Sequence, residues 1–312
     1  MERLTENKIV LVTRHPRLDE LVARFNTVEQ ARFYVEHLGS DFGEYQQEHR
    51  RYQEAVARTR MILSRLGRLQ ELDRSFLPNF LFGPEDLVVV LGQDGLVANT
   101  LKYLERQPVI GVNPDPDQWD GVLLPFLVDD LEGIVRETFQ GKERTQDVTM
   151  AMAELNDGQR LYGVNDLFIG PRSHISARYR ISIDGKSEHH SSSGIIVSTG
   201  LGSTGWFKSL VTGALGIAEG VSGVNLDGVA PHPVPWDASW LYFTVREPFP
   251  SRHSEATILF GTVSREQPLL LTSQMPEGGV IFSDGIESDF LNFSSGTTAR
   301  IVPADKKGRL VV

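Results

Sequence analysis

Residues 86–112 read DLVVVLGQDGLVANTLKYLERQPVIGV. Asp86–Leu91 is a short, almost wholly apolar run, the pattern of a strand buried on both faces. Gly92–Gly95 is a turn, Leu96–Leu104 has the length and spacing of a helix, and Val109–Val112 is a third apolar run. Strand, helix and strand in so short a stretch make a βαβ unit, which predicts a parallel sheet with helices on its faces.

Working outward, Lys8–Val12 (KIVLV) reads as another buried strand. Gly43–Leu66 carries Tyr45, Tyr52, Ala55, Val56, Ile62 and Leu63 at helical spacing, an amphipathic helix. After about Thr145 the texture changes. Val148–Leu155 and Gln159–Val164 flank Asn156-Asp157-Gly158, and Tyr179–Ile183 and Lys186–His190 flank Asp184-Gly185, two hairpin signals. Further strand-like runs are Gly194–Ser198, Trp240–Arg246, Ala256–Val263, Pro268–Thr272, Val280–Ser283 and Thr298–Val302. The expected fold class is an α/β domain with a Rossmann-like parallel sheet over 1–145, followed by an all-β sandwich over 146–299 with one helix after Ser203. The tail of about 300–312 is a candidate to return to the first domain, and Gly220–Pro235 reads as a long Gly/Pro loop.

Composition bounds the chemistry. The 312 residues include no cysteine, so there is no disulfide, thiolate zinc site or cysteine nucleophile. A formal net charge of −10 argues against a nucleic-acid partner, which needs a basic face. The start, MERLTENKIVLV, lacks the pattern of a signal peptide, and no apolar run approaches the ~20 residues of a membrane span. The expectation is a soluble, cytoplasmic protein with no membrane partner.

Three constellations carry the candidate chemistry. Gly92-Gln93-Asp94-Gly95 joins a buried strand to a helix, where peptide N–H groups and the helix dipole suit a phosphate and Asp94 adds a carboxylate able to orient a hydroxyl. The alternative is an Asp-Gly turn whose Asp caps the helix. Gly194–Trp206 (GIIVSTGLGSTGW) contains Gly200, Gly202 and Gly205 as GxGxxG, with Glu219 near the offset of a ribose-binding acid. Strands on both sides weaken a dinucleotide reading. What remains is a glycine-rich turn with Thr199, Ser203 and Thr204 hydroxyls, suited to phosphate or ribose oxygens or simply to a capped helix entry. Asn165-Asp166 offers an amide and a carboxylate side by side, a grip for vicinal ribose hydroxyls or an ordinary turn. Arg14 and Arg17, just past the first strand, are phosphate partners or solvated cations. Trp206 is a base-stacking platform or core filling, and His189-His190 point to opposite faces of a strand and read as surface residues.

In order and spacing these motifs resemble the NAD kinase family, whose signatures are GGDG, Asn-Glu and a TPTGSTAY-like segment; here they fall on Gly92–Gly95, Asn165-Asp166 and Thr199–Trp206. The likeness to the mitochondrial-type branch shows in Val12-Thr13-Arg14, PVIGVNPDP (Pro108–Pro116), SARYRISIDG (Ser176–Gly185) and VREPF (Val245–Phe249). The resemblance implies phosphorylation of the adenosine 2′-hydroxyl of NAD(H) by ATP with Mg²⁺, no metal held by the protein alone, and a homodimer. It gives Asp94 the role of base or hydroxyl orienter. Asn165 and Asp166 take the ribose grip, and Gly92, Gln93, Gly95, Thr199, Gly200, Gly202, Ser203 and Thr204 line the nucleotide sites. Gln93 stands where the family has glycine and is expected to crowd the donor phosphates or to demand a backbone angle that glutamine disfavours. Asp166 stands where it has glutamate, and the third segment lacks the proline and ends in Trp206. These departures leave open a superfamily kinase with a sugar or lipid acceptor, or an NAD(P)-binding module without turnover. An NAD-dependent oxidoreductase, prompted by GLGSTG, requires a parallel strand after the glycine turn.

Overall fold

In a computed structural model, which describes residues 4–226, 228, 229 and 234–312, Leu87–Leu91 is a strand buried at every position. The chain divides into two units, 1–146 with 308–312, and 147–307.

The first unit is built on a parallel sheet. Its elements are β1 (Lys8–Thr13), α1 (Arg17–Phe25), α2 (Val28–His37), α3 (Phe42–Leu66), β2 (Arg68–Asp73), β3 (Leu87–Leu91), α4 (Asp94–Leu101), β4 (Pro108–Asn113), β5 (Phe126–Leu127) and α5 (Leu131–Phe139). The strands lie in the order β2-β1-β3-β4, all parallel, with β5 paired to β4. Ile9, Leu11, Leu87, Val89, Leu91, Ile110 and Val112 form one apolar face, covered by Tyr52, Val56 and Leu63 of α3 and by Leu131 and Val135 of α5. The alternate residues Val10, Val12, Val88 and Val90 are equally buried, which is why these strands read as unbroken apolar runs. The order reverses between β1 and β3: the chain leaves β1 for β2 on one side and then crosses to β3 on the other. Ligands of open parallel sheets gather at the C-terminal strand ends beside such a reversal.

The second unit comprises β6 (Thr145–Leu155), β7 (Arg160–Gly163), β8 (Asp166–Pro171), β9 (Ala177–Ile183), β10 (Lys186–Ser192), β11 (Ile195–Ser198), α6 (Trp206–Ser222), β12 (Leu241–Val245), β13 (Phe260–Val263), β14 (Leu269–Ser273), β15 (Gly279–Ser283), β16 (Ile286–Asn292) and β17 (Thr298–Val311). One antiparallel sheet runs β10-β9-β14-β17-β6-β7 and the other β13-β12-β11-β8-β15-β16. Their inner faces share one core, with Ala151, Tyr179, Ile181, Leu271 and Ile301 from the first sheet and Leu167, Ile169, Ile195, Val197, Phe243 and Ile281 from the second. That is a β-sandwich. Both anticipated hairpins are present, and Asp184 and Gly185 take φ of 50° and 72°, the left-handed pair of a type I′ turn. The last strand continues to Val311, and its end, 308–311, belongs to the first unit, where Arg309 and Leu310 pair with Pro108 and Val109 of β4.

Several expectations are corrected. α4 begins at Asp94 rather than Leu96 and ends at Leu101. The strand expected from Ala256 begins only at Phe260, because the Thr257 and Ile258 N–H groups donate to the Glu188 carboxylate (3.1 and 3.2 Å) instead of to a neighbouring strand. Glu188 also takes His190 Nε2 at 2.9 Å, so His190 is buried rather than on the surface, while His189 faces outward to Gln274. The loop expected from Gly220 starts inside α6, and residues 227 and 230–233 of it lie outside the described residues. Among the described residues no helix is long and apolar enough to cross a membrane.

One close approach fixes the loop after β4. A Cβ on Gly111 would lie 2.0 Å from the Leu123 carbonyl oxygen, whereas one on Gly133 in α5 would meet nothing within 4 Å. Gly111→Ala is therefore expected to destabilise the protein by about 1–3 kcal/mol through overpacking. Gly133→Ala should leave stability unchanged or raise it by up to ~1 kcal/mol. Urea titrations of the two variants check the contrast.

Candidate functional site

The C-terminal ends of β1 and β3 meet at a single hydroxyl. Tyr52 Oη donates to the Leu91 carbonyl (2.9 Å) and accepts the Arg14 N–H (2.9 Å), bridging the strands where the sheet order reverses. Burial pushes its pKa up to about 12, against the opposing effect of the Arg14 N–H bond. Tyr52 entered the sequence reading only as one residue of a helical stripe.

Gly92 continues the ladder, donating to Val112 O at 3.3 Å. The Gln93 carbonyl then accepts from Leu96 and Val97 (2.8 and 3.3 Å), starting α4. The N–H groups of Gln93, Asp94 and Gly95 have no acceptor among the described residues, so the first helical turn presents three unpaired donors. Gln93 has φ −115°, an ordinary extended value, so glutamine in place of glycine costs no backbone strain here. Asp94 does not cap its own helix. Its Oδ1 accepts the Leu123 N–H at 2.6 Å, which fixes the carboxylate beside the unpaired donors.

Arg14 lies next to Gly92, but its guanidinium is directed inward. It donates to Glu48 Oε1 (3.0 Å) and to His15 O (3.2 Å), while Arg17 Nε donates to Glu48 Oε2 (2.5 Å). Burial raises the Glu48 pKa, yet the hydrogen bonds and charges of Arg17 and Arg14 outweigh it and hold the group below the usual carboxylate range. Both arginines proposed from sequence as phosphate partners are thus engaged with one buried carboxylate.

In the second unit the two remaining motifs are brought together. Asp166 opens β8 and pairs with Ser198 at the end of β11. The Asn165 carbonyl accepts the Thr199 N–H (3.0 Å), and Thr199 Oγ1 donates to Val164 O (2.6 Å) while accepting the Gly202 N–H (3.1 Å). A Cβ on Gly202 would stand 1.9 Å from Asn165 O, and one on Gly200 2.0 Å from Pro235 O. These glycines serve close approach of the protein's own backbone. The turn leads through Leu201–Thr204 into α6, and β11 pairs antiparallel with β12, so among the described residues the parallel strand that an oxidoreductase reading requires is absent. Ser203 and Thr204 hydroxyls bond back to Gly200 O and Leu201 O (2.7 and 3.4 Å).

The Asn165 side-chain amide is half-buried and makes no hydrogen bond among the described residues. Asp166 is buried, and no donor among the described residues reaches its carboxyl group. Burial first, and then the charge of Asp284, push its pKa up to about 7.

Sequence reasoning missed a cavity of about 580 Å³ on the outer face of this sheet. Phe282, Phe168 and Trp206 stack in a column, with centroids 5.4 and 6.0 Å apart, and the Arg246 guanidinium lies 5.4 Å from the half-exposed Trp206 ring. Arg246 Nε is buried and has no acceptor among the described residues, and Arg172 sits 3.7 Å from the Phe290 ring. Two guanidinium groups over aromatic rings suit a planar ligand that carries negative charge. The available signal was the alternation of Phe168 with the inward Leu167 and Ile169. Among the described residues no three His, Asp or Glu side chains are grouped to hold a metal. Asp94 supplies a single carboxylate, which fits a Mg²⁺ held mainly by nucleotide phosphates and water.

The Asp166 shift has a signed consequence. Its folded pKa lies above the unfolded value, so the folded protein binds the extra proton and stability falls as pH rises from about 4 through 7. Asp166→Asn should be more stable than the parent at pH 8, by on the order of 2–4 kcal/mol, with the advantage vanishing toward pH 4. Denaturant titrations at both pH values measure it.

No protein-family model and no curated protein matches this sequence. Among solved structures the chain is similar to an NAD kinase from Archaeoglobus fulgidus in complex with ATP, with a TM-score of 0.57, 16% identity, and coverage of 98% of this chain and 93% of that one. It is also similar to yeast NADH kinase complexed with NADH, with a TM-score of 0.60, 14% identity, and coverage of 99% and 84%. At these identities the likeness is one of architecture: a mostly parallel α/β unit followed by an antiparallel β unit, the NAD kinase-like fold.

Proposed function

We propose that this protein is an NAD kinase-type phosphotransferase that moves the γ-phosphoryl group of ATP to the adenosine 2′-hydroxyl of NAD or NADH. The observation that carries the reading is the end of β3, where the Asp94 carboxylate stands beside three unpaired N–H groups at the reversal of a parallel sheet.

Phosphoryl transfer needs positioning and charge stabilisation more than covalent chemistry. Asp94 accepts the proton of the attacking hydroxyl, or orients it, while the N–H groups of Gln93, Asp94 and Gly95 receive anionic phosphate oxygens. When bound with ATP, Mg²⁺ would supply neutralisation of the donor phosphates, with the Asp94 carboxylate beside them to help hold it. In the second unit the free Asn165 amide and the Asp166 carboxyl group supply a donor and acceptor pair for ribose hydroxyls. The Trp206 ring and Arg246 offer a stacking face and a cation for the remainder of the dinucleotide. The two solved structures similar in fold are themselves named as NAD and NADH kinases, in complex with ATP and NADH.

Asp94→Asn separates chemistry from architecture, because an asparagine oxygen can still accept the Leu123 N–H. Formation of NADP from NAD and ATP·Mg²⁺ should fall in kcat by about 10²–10⁴-fold, the usual contribution of a positioned acid or base. KM for NAD and the unfolding midpoint should stay close to the parent's. Undiminished turnover in the variant would remove Asp94 from the mechanism, and binding without turnover in the parent would leave a nucleotide-binding module.

A further inference from the structure

The turn between β15 and β16 is Asp284-Gly285, with φ of 54° and 71°, the same left-handed pair found at Asp184-Gly185. Turn chemistry accounts for both glycines but not for what the two aspartates do. Asp184 points outward, its nearest polar contact being Gln267 Nε2 at 3.5 Å. Asp284 points inward and receives three consecutive backbone N–H groups: Val164 on Oδ2 at 3.0 Å, and Asn165 and Asp166 on Oδ1 at 2.6 and 3.3 Å. Its own N–H returns a bond to Asp166 O at 3.1 Å.

Those three residues are where the chain passes from β7 into β8, and no strand neighbour takes their N–H groups. The Asn165 peptide is therefore held from both sides, its N–H by Asp284 and its C=O by Thr199, with Gly202 packed against the same oxygen. With the backbone fixed, the Asn165 amide and the Asp166 carboxyl group are the parts left to meet a ligand.

We propose that Asp284 is the positioning residue of the Asn165-Asp166 pair: its carboxylate holds the three N–H groups of residues 164–166 and so sets the backbone that aims the two side chains. The inference rests on the reading of that pair as the ribose grip. Asp284 does not itself touch the substrate. Charge-assisted bonds to N–H groups are about twice as strong as neutral ones, so one carboxylate is enough to hold a three-residue segment. Burial first, and then the nearby Asp284 charge, disfavour ionisation of the Asp166 carboxyl.

The test compares Asp284→Asn, Asp284→Ala and the outward-facing control Asp184→Asn with the parent, using NAD as ligand in calorimetry. A ¹³C-carboxyl NMR titration of Asp166 accompanies it. Asp284→Ala, folded by circular dichroism, should weaken NAD binding by about tenfold or more, as expected for loss of charge-assisted bonds that order the grip. Asp284→Asn keeps an acceptor but not the charge, so it should bind better than the alanine variant while lowering the Asp166 titration midpoint. Asp184→Asn should change neither. A merely structural aspartate would lower stability without moving that midpoint. If the parent fails to bind NAD, the functional reading falls, and the Asp166 titration still decides the role of Asp284. An unmoved midpoint in Asp284→Asn, or parental NAD affinity in folded Asp284→Ala, would overturn the proposal.

Discussion

The burial of β3 between two parallel neighbours is the constraint on which the first unit depends. Each residue of Leu87–Leu91 is covered on both faces, so the strand can end only by releasing its polar backbone at the sheet's rim. Gly92 makes the last ladder bond, and the next three N–H groups emerge together at the start of α4. Tyr52 holds the adjoining end of β1 to the same rim through Leu91 and Arg14. A parallel sheet concentrates donors at one end of its strands, and the reversal of strand order leaves room beside them. The net charge of −10 is no obstacle to an anionic ligand in such a place, because the attraction comes from oriented peptide dipoles at close range.

Carboxylates in this protein repeatedly organise backbone. Asp94 takes the Leu123 N–H, Asp284 takes three N–H groups of 164–166, and Glu188 takes those of Thr257 and Ile258. In each case an acidic side chain replaces a strand or helix partner that the topology does not supply. Asp166 is the exception. It is buried without such donors, and that burial, with the nearby Asp284 charge, raises its pKa.

Legibility in the sequence followed the range of the interactions involved. The βαβ run over 86–112 and the hairpins at Asn156-Asp157-Gly158 and Asp184-Gly185 depend on neighbours a few residues apart, so apolar runs and turn residues sufficed to read them. β2 escaped notice because RLQELD buries little beyond Leu72 and joins the sheet through its backbone alone. The residues over 256–259 resembled a strand in composition, yet the N–H groups of Thr257 and Ile258 go to Glu188, some 70 positions away. The site divides in the same way. Asp94, Asn165 and Asp166 stand in compact motifs, so sequence alone could nominate them as candidates. Asp284 lies about 120 residues from the N–H groups it holds, and Tyr52 and Phe282 reach their partners only through the fold. Arg14 was placed correctly at a strand end, but a buried Glu48 on α3 had a stronger claim on its guanidinium than solvent.

The central claim is that the carboxylate at the end of β3 meets the hydroxyl that is to be phosphorylated. A crystal structure with NAD and a non-hydrolysable ATP analogue bound tests it most directly. The account expects the adenosine 2′-hydroxyl within about 3 Å of an Asp94 oxygen, with phosphate oxygens on the N–H groups of residues 93–95. An adenosine ribose bound away from Asp94, with those N–H groups facing only water, would contradict it.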